Sequence, residues 1–334
     1  MTVQPHTMTK VCIYGAGAIG GWLASGLAGA GTGAQVSVVA RGATLQAIQS
    51  HGLRIQRGDA VSAFQVTASA NPADLGVQDV LIIAVKATAL AQVAEQVTPL
   101  IGPHTLVVPA MNGVPWWFLQ GFGGKLAGTR LQAVDPSGQI EAAFPPANII
   151  GAVVHASCSV SSPGLIHHHF GNGLIIGEPS GHATPRVQAL ADLLTRAGFN
   201  TSVSTQIQKD VWFKLWGNMS VNPISAFTGA TTDLILGDEL ARNFISAIML
   251  EAKEVGARMG IQIDQRPEDR HQVTLKLGAF KTSMLQDVEA GRAVELDALV
   301  TVVKELAALT GTPTPMTDAL LGLARLHARR HKLY

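Results

Sequence analysis

The sequence predicts an α/β protein built on a doubly wound sheet, extended by antiparallel strands and followed by an all-helical C-terminal domain. Short apolar segments alternate with helical segments through the first third of the chain, as expected for a parallel sheet with helices on both faces. Asp79–Val85 is a continuous apolar run, typical of a strand buried on both sides. Strand signals almost vanish from about Gln206 onward.

Each element of the first part follows from a local pattern of apolar residues and turn residues. The predicted strands are Val11–Tyr14, Gln35–Ala40, Leu53–Gln56, Val61–Thr67, Asp79–Val85 and Thr105–Pro109. The predicted helices between them are Ile19–Ala30, Leu45–Ser50 and Thr88–Val97.

After Leu131 the pattern changes. Ile149–Val160 and Leu174–Gly177 read as strands with no full crossover helix between them, so we expect antiparallel pairing. The remaining helices are predicted at Pro185–Ala197, Val211–Ser220, Asp238–Met259, Glu268–Ala279 and Val294–Leu309. These elements predict two domains, an α/β domain at residues 8–205 and a helical domain at residues 206–334.

Composition excludes several classes of protein. At 334 residues, with 47% hydrophobic and 14% charged residues, the chain should form globular domains with large cores. A formal net charge of +1 leaves no basic surplus for nucleic acid or a membrane surface. Two cysteines do not suggest a disulfide framework, and residues 1–9 carry no signal pattern, so we expect a cytoplasmic protein.

A glycine-rich turn connects the first predicted strand to the first helix. Gly15 permits the tight turn, Gly17 allows close approach of a pyrophosphate, and Gly20 allows helix and strand to pack closely. The backbone N–H groups of Ala18 and Ile19 then face the phosphates at the helix N-terminus. A purely structural glycine turn is the alternative, but the strand–turn–helix context favours a Rossmann-type dinucleotide site.

The residue after the second strand indicates which dinucleotide is bound. NAD sites usually carry an acidic residue there, whereas this chain has Arg41. A guanidinium can bind a 2′-phosphate in bidentate fashion, which favours NADP (NADPH). An ordinary surface arginine is the alternative.

Two further polar residues follow strands at the predicted carboxyl edge of the sheet, where ligands of such folds bind. Lys86 comes directly after the buried strand, and Asn112 opens an Asn-Gly turn after Thr105–Pro109. Each has an ordinary explanation, because a lysine can extend to solvent and Asn-Gly is a common turn pair. Their shared placement favours a role for both beside the cofactor.

In the second domain, Lys214, Asn218 and Asn222 lie four residues apart and therefore share one helix face. A solvated polar stripe is the alternative, which the flanking Trp212 and Trp216 disfavour.

Two further residues of the helical domain carry chemistry. Ser283 could donate a hydrogen bond to a carboxylate, and Glu295 could pair with a lysine or serve only as a first-turn acid. The triplet His167–His169 has no suitably spaced carboxylate or cysteine partner, so no metal site is predicted.

Taken in order, these motifs resemble the ketopantoate reductase (2-dehydropantoate 2-reductase) family over almost the whole chain. The resemblance implies a Rossmann domain and a helical domain, with nicotinamide and substrate in the cleft between them. It implies that Lys214 is the proton donor and that Glu295 supports it. It further implies substrate contacts from Asn218, Asn222 and Ser283, while Lys86 and Asn112 line the junction of cofactor and substrate.

Two departures from the family pattern leave the substrate open. Phe280 stands where well-known members have a polar side chain, and Trp116–Trp117 adds bulk that we expect near the mouth of the cleft. The leading hypothesis is NADPH-dependent reduction of 2-dehydropantoate to pantoate. A related dehydrogenase for another 2-keto acid and a non-catalytic NADP-binding sensor are the alternatives. The apolar C-terminal helices could form a homodimer surface or be buried within a monomer.

Overall fold

The computed structural model describes residues 9–334, so the predicted domain start at residue 8 lies outside the described residues. The contacts of the chain divide it into two compact units. The first unit comprises the chain up to Met111 together with Gln139–Ile207, and the second comprises Asn112–Gly138 and Gln208–Tyr334.

The segment Asn112–Gly138 therefore belongs to the second unit, whereas the sequence prediction placed it in the first domain. Hydrogen bonds that backbone N–H groups of this segment donate to the helical part of the chain explain the difference. The Val114 N–H donates to the Ala298 carbonyl at 2.8 Å. The N–H groups of Gln132 and Ala133 donate to the Glu305 carboxylate at 2.7 and 2.8 Å.

Strands of the described chain all lie in the first unit. They are β1 (Lys10–Tyr14), β2 (Gln35–Val39), β3 (Leu53–Arg57), β4 (Ala60–Phe64), β5 (Thr67–Ser69), β6 (Val80–Ile83), β7 (Leu106–Pro109), β8 (Gly151–Ser162), β9 (Leu165–Gly177) and β10 (Asn200–Val203). The α-helices of this unit are α1 (Ala18–Gly29), α2 (Gly42–His51), α3 (Leu90–Ala94), α4 (Gln139–Ala143) and α5 (Pro185–Arg196).

The first sheet has the order β5-β2-β1-β6-β7, and every pair in it is parallel. The central β1 is fully buried at Val11, Cys12 and Ile13, as the apolar sequence of this strand requires. Strand order reverses at β1, so the crevice at its carboxyl end is the expected ligand position of a doubly wound sheet. The predicted fold class is confirmed.

The antiparallel strands form a second sheet rather than a direct extension of the first. Its order is β10-β9-β3-β4, with β8 antiparallel to β9. A parallel bridge between Val107 and Ile149 connects it to the edge strand β7. The predicted strand Val61–Thr67 is in fact two strands, β4 and β5, which belong to different sheets. Likewise, β9 is longer than predicted because its histidines and glycines interrupt the apolar pattern.

The helices of the second unit are α6 (Ile207–Thr228), α7 (Thr232–Gly237), α8 (Glu239–Arg258), α9 (Pro267–Leu275), α10 (Ser283–Glu289), α11 (Val302–Thr310) and α12 (Pro315–Arg330). A π-helical turn, Asp297–Thr301, directly precedes α11. Helix α6 continues through Pro223, although a proline in a helix interior removes one backbone hydrogen bond. Among residues 9–334, no helix is both long and apolar enough to cross a membrane.

Two tryptophans fix the position of α6 in the second unit. The indole N–H of Trp212 donates to the Ala252 carbonyl at 3.2 Å, and that of Trp216 donates to the Met249 carbonyl at 2.7 Å. Gly256 allows this close packing, since a Cβ there would lie 2.5 Å from the Trp212 indole nitrogen. The polar stripe on α6, formed by Lys214, Asn218 and Asn222, is therefore fixed in position by the packing of α6 against α8.

The glycines of the first turn provide a stability test. We expect Gly20→Ala to destabilise the protein by about 1–3 kcal/mol or more, because its Cβ would lie 1.8 Å from the Gly15 carbonyl oxygen. Gly17→Ala is the matched control, since no protein atom lies within 4 Å of a Cβ there and only a weaker helix cap results. Urea denaturation of the unliganded variants measures both. Equal stability of the two variants would contradict this account of the turn.

Candidate functional site

Gly15 shapes the turn at the carboxyl end of β1. Its φ of 103° lies in the region that favours glycine, and a Cβ there would lie 2.8 Å from the Ala84 carbonyl oxygen. Its N–H donates to the Val39 carbonyl at 3.0 Å, which ties the turn to the end of β2. The requirement for glycine at this position thus comes from the protein itself.

Gly17 differs from its neighbours because no protein atom requires it to be a glycine. It precedes α1, which has neither a side-chain cap nor an acidic residue in its first turn. The first N–H groups of this helix, including those of Ala18 and Ile19, have no acceptor within the helix. Together, these features fit the backbone cradle of a pyrophosphate.

Arg41 immediately precedes α2, two residues beyond the end of β2, and its side chain is exposed. Helix α2 also lacks a side-chain cap and a first-turn acid, so its N-terminus adds to the positive potential. Arg41 hydrogen-bonds to the Tyr14 side chain, a neighbour that the sequence analysis did not identify. Burial raises the pKa of Tyr14, although the charge and hydrogen bond of Arg41 act to lower it.

Lys86 is half-buried and begins a 3₁₀ turn, where its carbonyl accepts the Ala89 N–H at 2.9 Å. It lies three residues beyond β6, the parallel neighbour of β1. The fold therefore places Gly15, Arg41 and Lys86 at the carboxyl ends of adjacent strands.

The second unit contains the candidate proton-transfer group. The Lys214 ammonium donates to Asn112 Oδ1 at 2.8 Å. The loop that carries Asn112 lies against the π-helical turn because Gly113 lacks a side chain. A Cβ at Gly113 would lie 2.4 Å from the Ala298 carbonyl oxygen, and its φ is 86°. Asn112 is thus a partner of Lys214, and its predicted contact with the cofactor stays a prediction.

Three influences set the pKa of Lys214 to about 8. Burial lowers it most, the negative charge of Glu295 raises it, and the positive charge of Arg270 lowers it further. Glu295 is itself buried, with 5% of its surface exposed. The result is a lysine that is mainly protonated at neutral pH and can still release its proton readily.

The other predicted substrate residues take different positions. Asn218 and Asn222 follow Lys214 along α6 at intervals of four residues, half-buried and buried respectively. Ser283 is the first residue of α10, behind the capping hydroxyl of Thr282. The interactions described for Lys214 link it to Asn112, Glu295 and Arg270, and not to Ser283.

Several side chains differ in place or role from the sequence interpretation. Trp116 and Trp117 are 4% and 1% exposed, so they belong to the core of the second unit rather than to an open rim. Arg270 was not predicted at all. It lies on α9 shortly after Arg266, Glu268 and Asp269, in a charged segment typical of a solvated helix face. Only the packing shows that Arg270 turns inward.

The histidine triplet lies on β9. The rings of His167 and His169 have centroids 4.3 Å apart, and His169 Nε2 is 2.8 Å from the Ser159 hydroxyl. No group of three or more His, Cys, Asp or Glu side chains within the described residues could hold a metal ion.

Comparison with known proteins matches this geometry to one family. The model of ketopantoate reductase PanE/ApbA matches residues 11–181, and that of its C-terminal domain matches residues 206–328. A 2-dehydropantoate 2-reductase of Mesorhizobium japonicum is 46% identical over 316 residues, which cover 95% of this chain and 97% of that protein. The chain belongs to the ketopantoate reductase family. It is accordingly an oxidoreductase.

Solved structures show the same relationship. A chain from Ralstonia solanacearum MolK2, provisionally assigned as a ketopantoate reductase, has a TM-score of 0.92 and 52% identity, covering 98% of this chain and all of that one. A D-mandelate dehydrogenase solved with NADH and anilino(oxo)acetate has a TM-score of 0.83 at 20% identity. It covers 98% of this chain and all of that one, and this likeness concerns the fold.

The charge of Glu295 can be tested directly. We expect Glu295→Gln to lower the pKa of Lys214 by about 1–3 units, because removing an adjacent negative charge destabilises the ammonium form. Lys214 would then be neutral at lower pH and would react faster with an amine-selective aryl sulfonate at pH 7. The pH dependence of labelling, followed by peptide mass spectrometry, measures the shift. Glu254→Gln on the surface of α8 is the control, and an unchanged Lys214 profile in Glu295→Gln would refute the pairing.

Proposed function

We propose that this protein reduces a 2-keto acid to a 2-hydroxy acid with NADPH, and that its substrate is 2-dehydropantoate, giving pantoate for pantothenate biosynthesis. The observation that carries the proposal is the partly buried Lys214, which is hydrogen-bonded to Asn112 and whose ammonium form is stabilised by the negative charge of Glu295. The names of the relatives from Mesorhizobium and other organisms support the choice of substrate.

Lys214 acts as the general acid in this proposal. A bound NADPH supplies the hydride for the keto carbon. Negative charge then develops on the keto oxygen, and the Lys214 ammonium stabilises it and donates the proton. Glu295 favours the charged form of the lysine against desolvation, and the Asn112 amide oxygen orients the ammonium group. A reductase needs this proton donor for turnover, whereas a protein that only senses NADP does not need one.

The dinucleotide would bind to the first unit. Gly15, Gly17 and Gly20, with the N-terminus of α1, fit the pyrophosphate, and Lys86 at the end of β6 would lie beside the cofactor. The preference for NADPH rests on Arg41 and the uncapped N-terminus of α2, which together suit a 2′-phosphate. The D-mandelate dehydrogenase neighbour has this fold and was solved with NADH, so the fold by itself does not favour NADPH. The preference proposed for this chain therefore depends on Arg41.

The substrate would contact the polar stripe on α6. Asn218 and Asn222 follow Lys214 on that face, and Ser283 begins α10 in the same unit. Phe280, which stands where other members carry a polar side chain, favours a second candidate, a more apolar branched or aromatic 2-keto acid. A panel of such acids, assayed by NADPH oxidation, ranks the two candidates.

We place the reaction in the cytoplasm, since Cys12 and Cys158 are both free thiols.

Lys214→Ala tests the mechanism. We expect kcat to fall by about 10²–10⁴, because no proton donor remains for the keto oxygen, while NADPH affinity changes little. Stopped-flow absorbance of NADPH with 2-dehydropantoate measures the rate. Lys209→Ala, an exposed lysine on the same helix, is the control and should retain full activity. Normal turnover by the Lys214 variant would eliminate it as the acid.

Arg41→Ala tests the cofactor. The variant should lose NADPH affinity by a factor of about 10 or more and keep its NADH affinity, because only NADPH carries the 2′-phosphate that the guanidinium binds. Fluorescence titration with each nucleotide gives both dissociation constants. Arg196→Ala, exposed at the end of α5, controls for a general loss of positive charge. Equal losses for NADPH and NADH would contradict the assignment.

A further inference from the structure

An inward-facing arginine beside Lys214 has no anionic partner among the described residues. Arg270 Nε is buried and has no hydrogen-bond partner, and within residues 9–334 its guanidinium forms no ion pair. Asp269, the adjacent acid on α9, is engaged instead with Arg266. The guanidinium carbon lies 5.5 Å from the centre of the Phe213 ring, a cation–π contact that holds it without neutralising its charge.

A glycine on α6 creates the space for this arginine. A Cβ at Gly217 would lie 2.9 Å from Arg270 Nε and 3.2 Å from Nη2. Gly217 follows Lys214 by three residues and immediately precedes Asn218, so it borders the polar stripe of α6. The guanidinium therefore lies directly against the helix that carries the proton donor.

Within the part of the chain that the structure describes, one negative and one positive side chain act on Lys214. Glu295 is the negative group that acts on Lys214, and Arg270 is a positive group that acts on it as well. Burial lowers the pKa of Arg270, and no carboxylate of the described chain opposes this effect. Among the described residues, Lys214 and Arg270 place two positive charges near the one carboxylate, Glu295, whose charge acts on the lysine, and an added anion would stabilise this arrangement.

We propose that Arg270 is the carboxylate-binding residue of the active site and thereby restricts the substrate to 2-keto carboxylates. The inference rests on the proposed function, since it assigns a binding residue to the carboxylate of the same substrate. A guanidinium presents N–H groups in a planar fork that suits a carboxylate, and a 2-keto acid carries its keto oxygen on the adjacent carbon. With the carboxylate on Arg270, the keto oxygen is directed to Lys214.

Substrate binding would also raise the pKa of Lys214, the proposed general acid. A carboxylate on Arg270 neutralises the positive charge that lowers the pKa of Lys214, so the ammonium form becomes more stable when substrate is present. The enzyme would therefore hold a protonated donor when an acidic substrate is bound. A neutral ketone lacks the group that brings about this change.

Arg270→Gln separates carboxylate recognition from structural support. We expect kcat/KM for the 2-keto acid to fall about 100-fold or more, and that for its neutral primary amide to change less than about threefold. Arg270→Lys should retain part of the activity with the acid. The pH at which activity declines should move upward in Arg270→Gln, opposite to the shift expected for Glu295→Gln. Equal losses with acid and amide, or an unmoved pH profile, would overturn the proposal.

Gly217→Ala should change the position of the Arg270 guanidinium without removing it. The new methyl group should displace the guanidinium and raise KM for the keto acid at least tenfold, with an unchanged urea midpoint. Gly237→Ala, at a position with no atom within 4 Å of a Cβ, is the control. An unchanged KM in Gly217→Ala would count against Arg270.

Calorimetry of the 2-hydroxy acid with the enzyme–NADP⁺ complex distinguishes this inference from the proposed function. If the wild-type protein binds the hydroxy acid and Arg270→Gln does not, the carboxylate site is supported even where no keto acid is turned over. If both proteins bind it equally, or neither does, Arg270 is not the carboxylate site, whatever the activity with NADPH.

Discussion

The desolvation of one ammonium group, that of Lys214, is the constraint on which the candidate site of the second unit depends. Burial makes the proton easier to release, and the nearby charge of Glu295 keeps it in place at neutral pH. Either influence alone would give a poor acid, because an exposed lysine holds its proton too tightly and an unpaired buried one loses it. A pKa of about 8 is the outcome of the two opposing influences together with Arg270.

Such a balance requires fixed positions, and the packing of the second unit provides them. Trp212 and Trp216 anchor α6 to α8 through their indole N–H groups. The excursion after Met111 brings Asn112 to the lysine, and Gly113 allows its loop to contact the π-helical turn that follows Glu295. Segments far apart in sequence therefore meet at one ammonium group. This also explains why residues 112–138 belong to the helical unit.

The first unit shows how different physical reasons can require the same residue type. Gly15 and Gly20 are required by neighbouring protein atoms, since a Cβ at either would collide with backbone. Gly17 faces no such atom, and the proposed dinucleotide, which would approach the backbone there, supplies a different reason for a small residue. In that proposal the turn combines a structural requirement with a binding requirement.

The sequence by itself determined the fold class, the glycine turn and the spacing of Lys214, Asn218 and Asn222, because these depend on local periodicity and on backbone needs of single residues. The tertiary structure decided what depends on long-range packing. It separated β4 from β5 into different sheets, made Asn112 a partner of Lys214, and buried Trp116 and Trp117. Arg270 is the clearest example, since a charged run on a surface helix does not reveal which side chain turns inward. Only the gap at Gly217, more than fifty residues away in sequence, shows that it does.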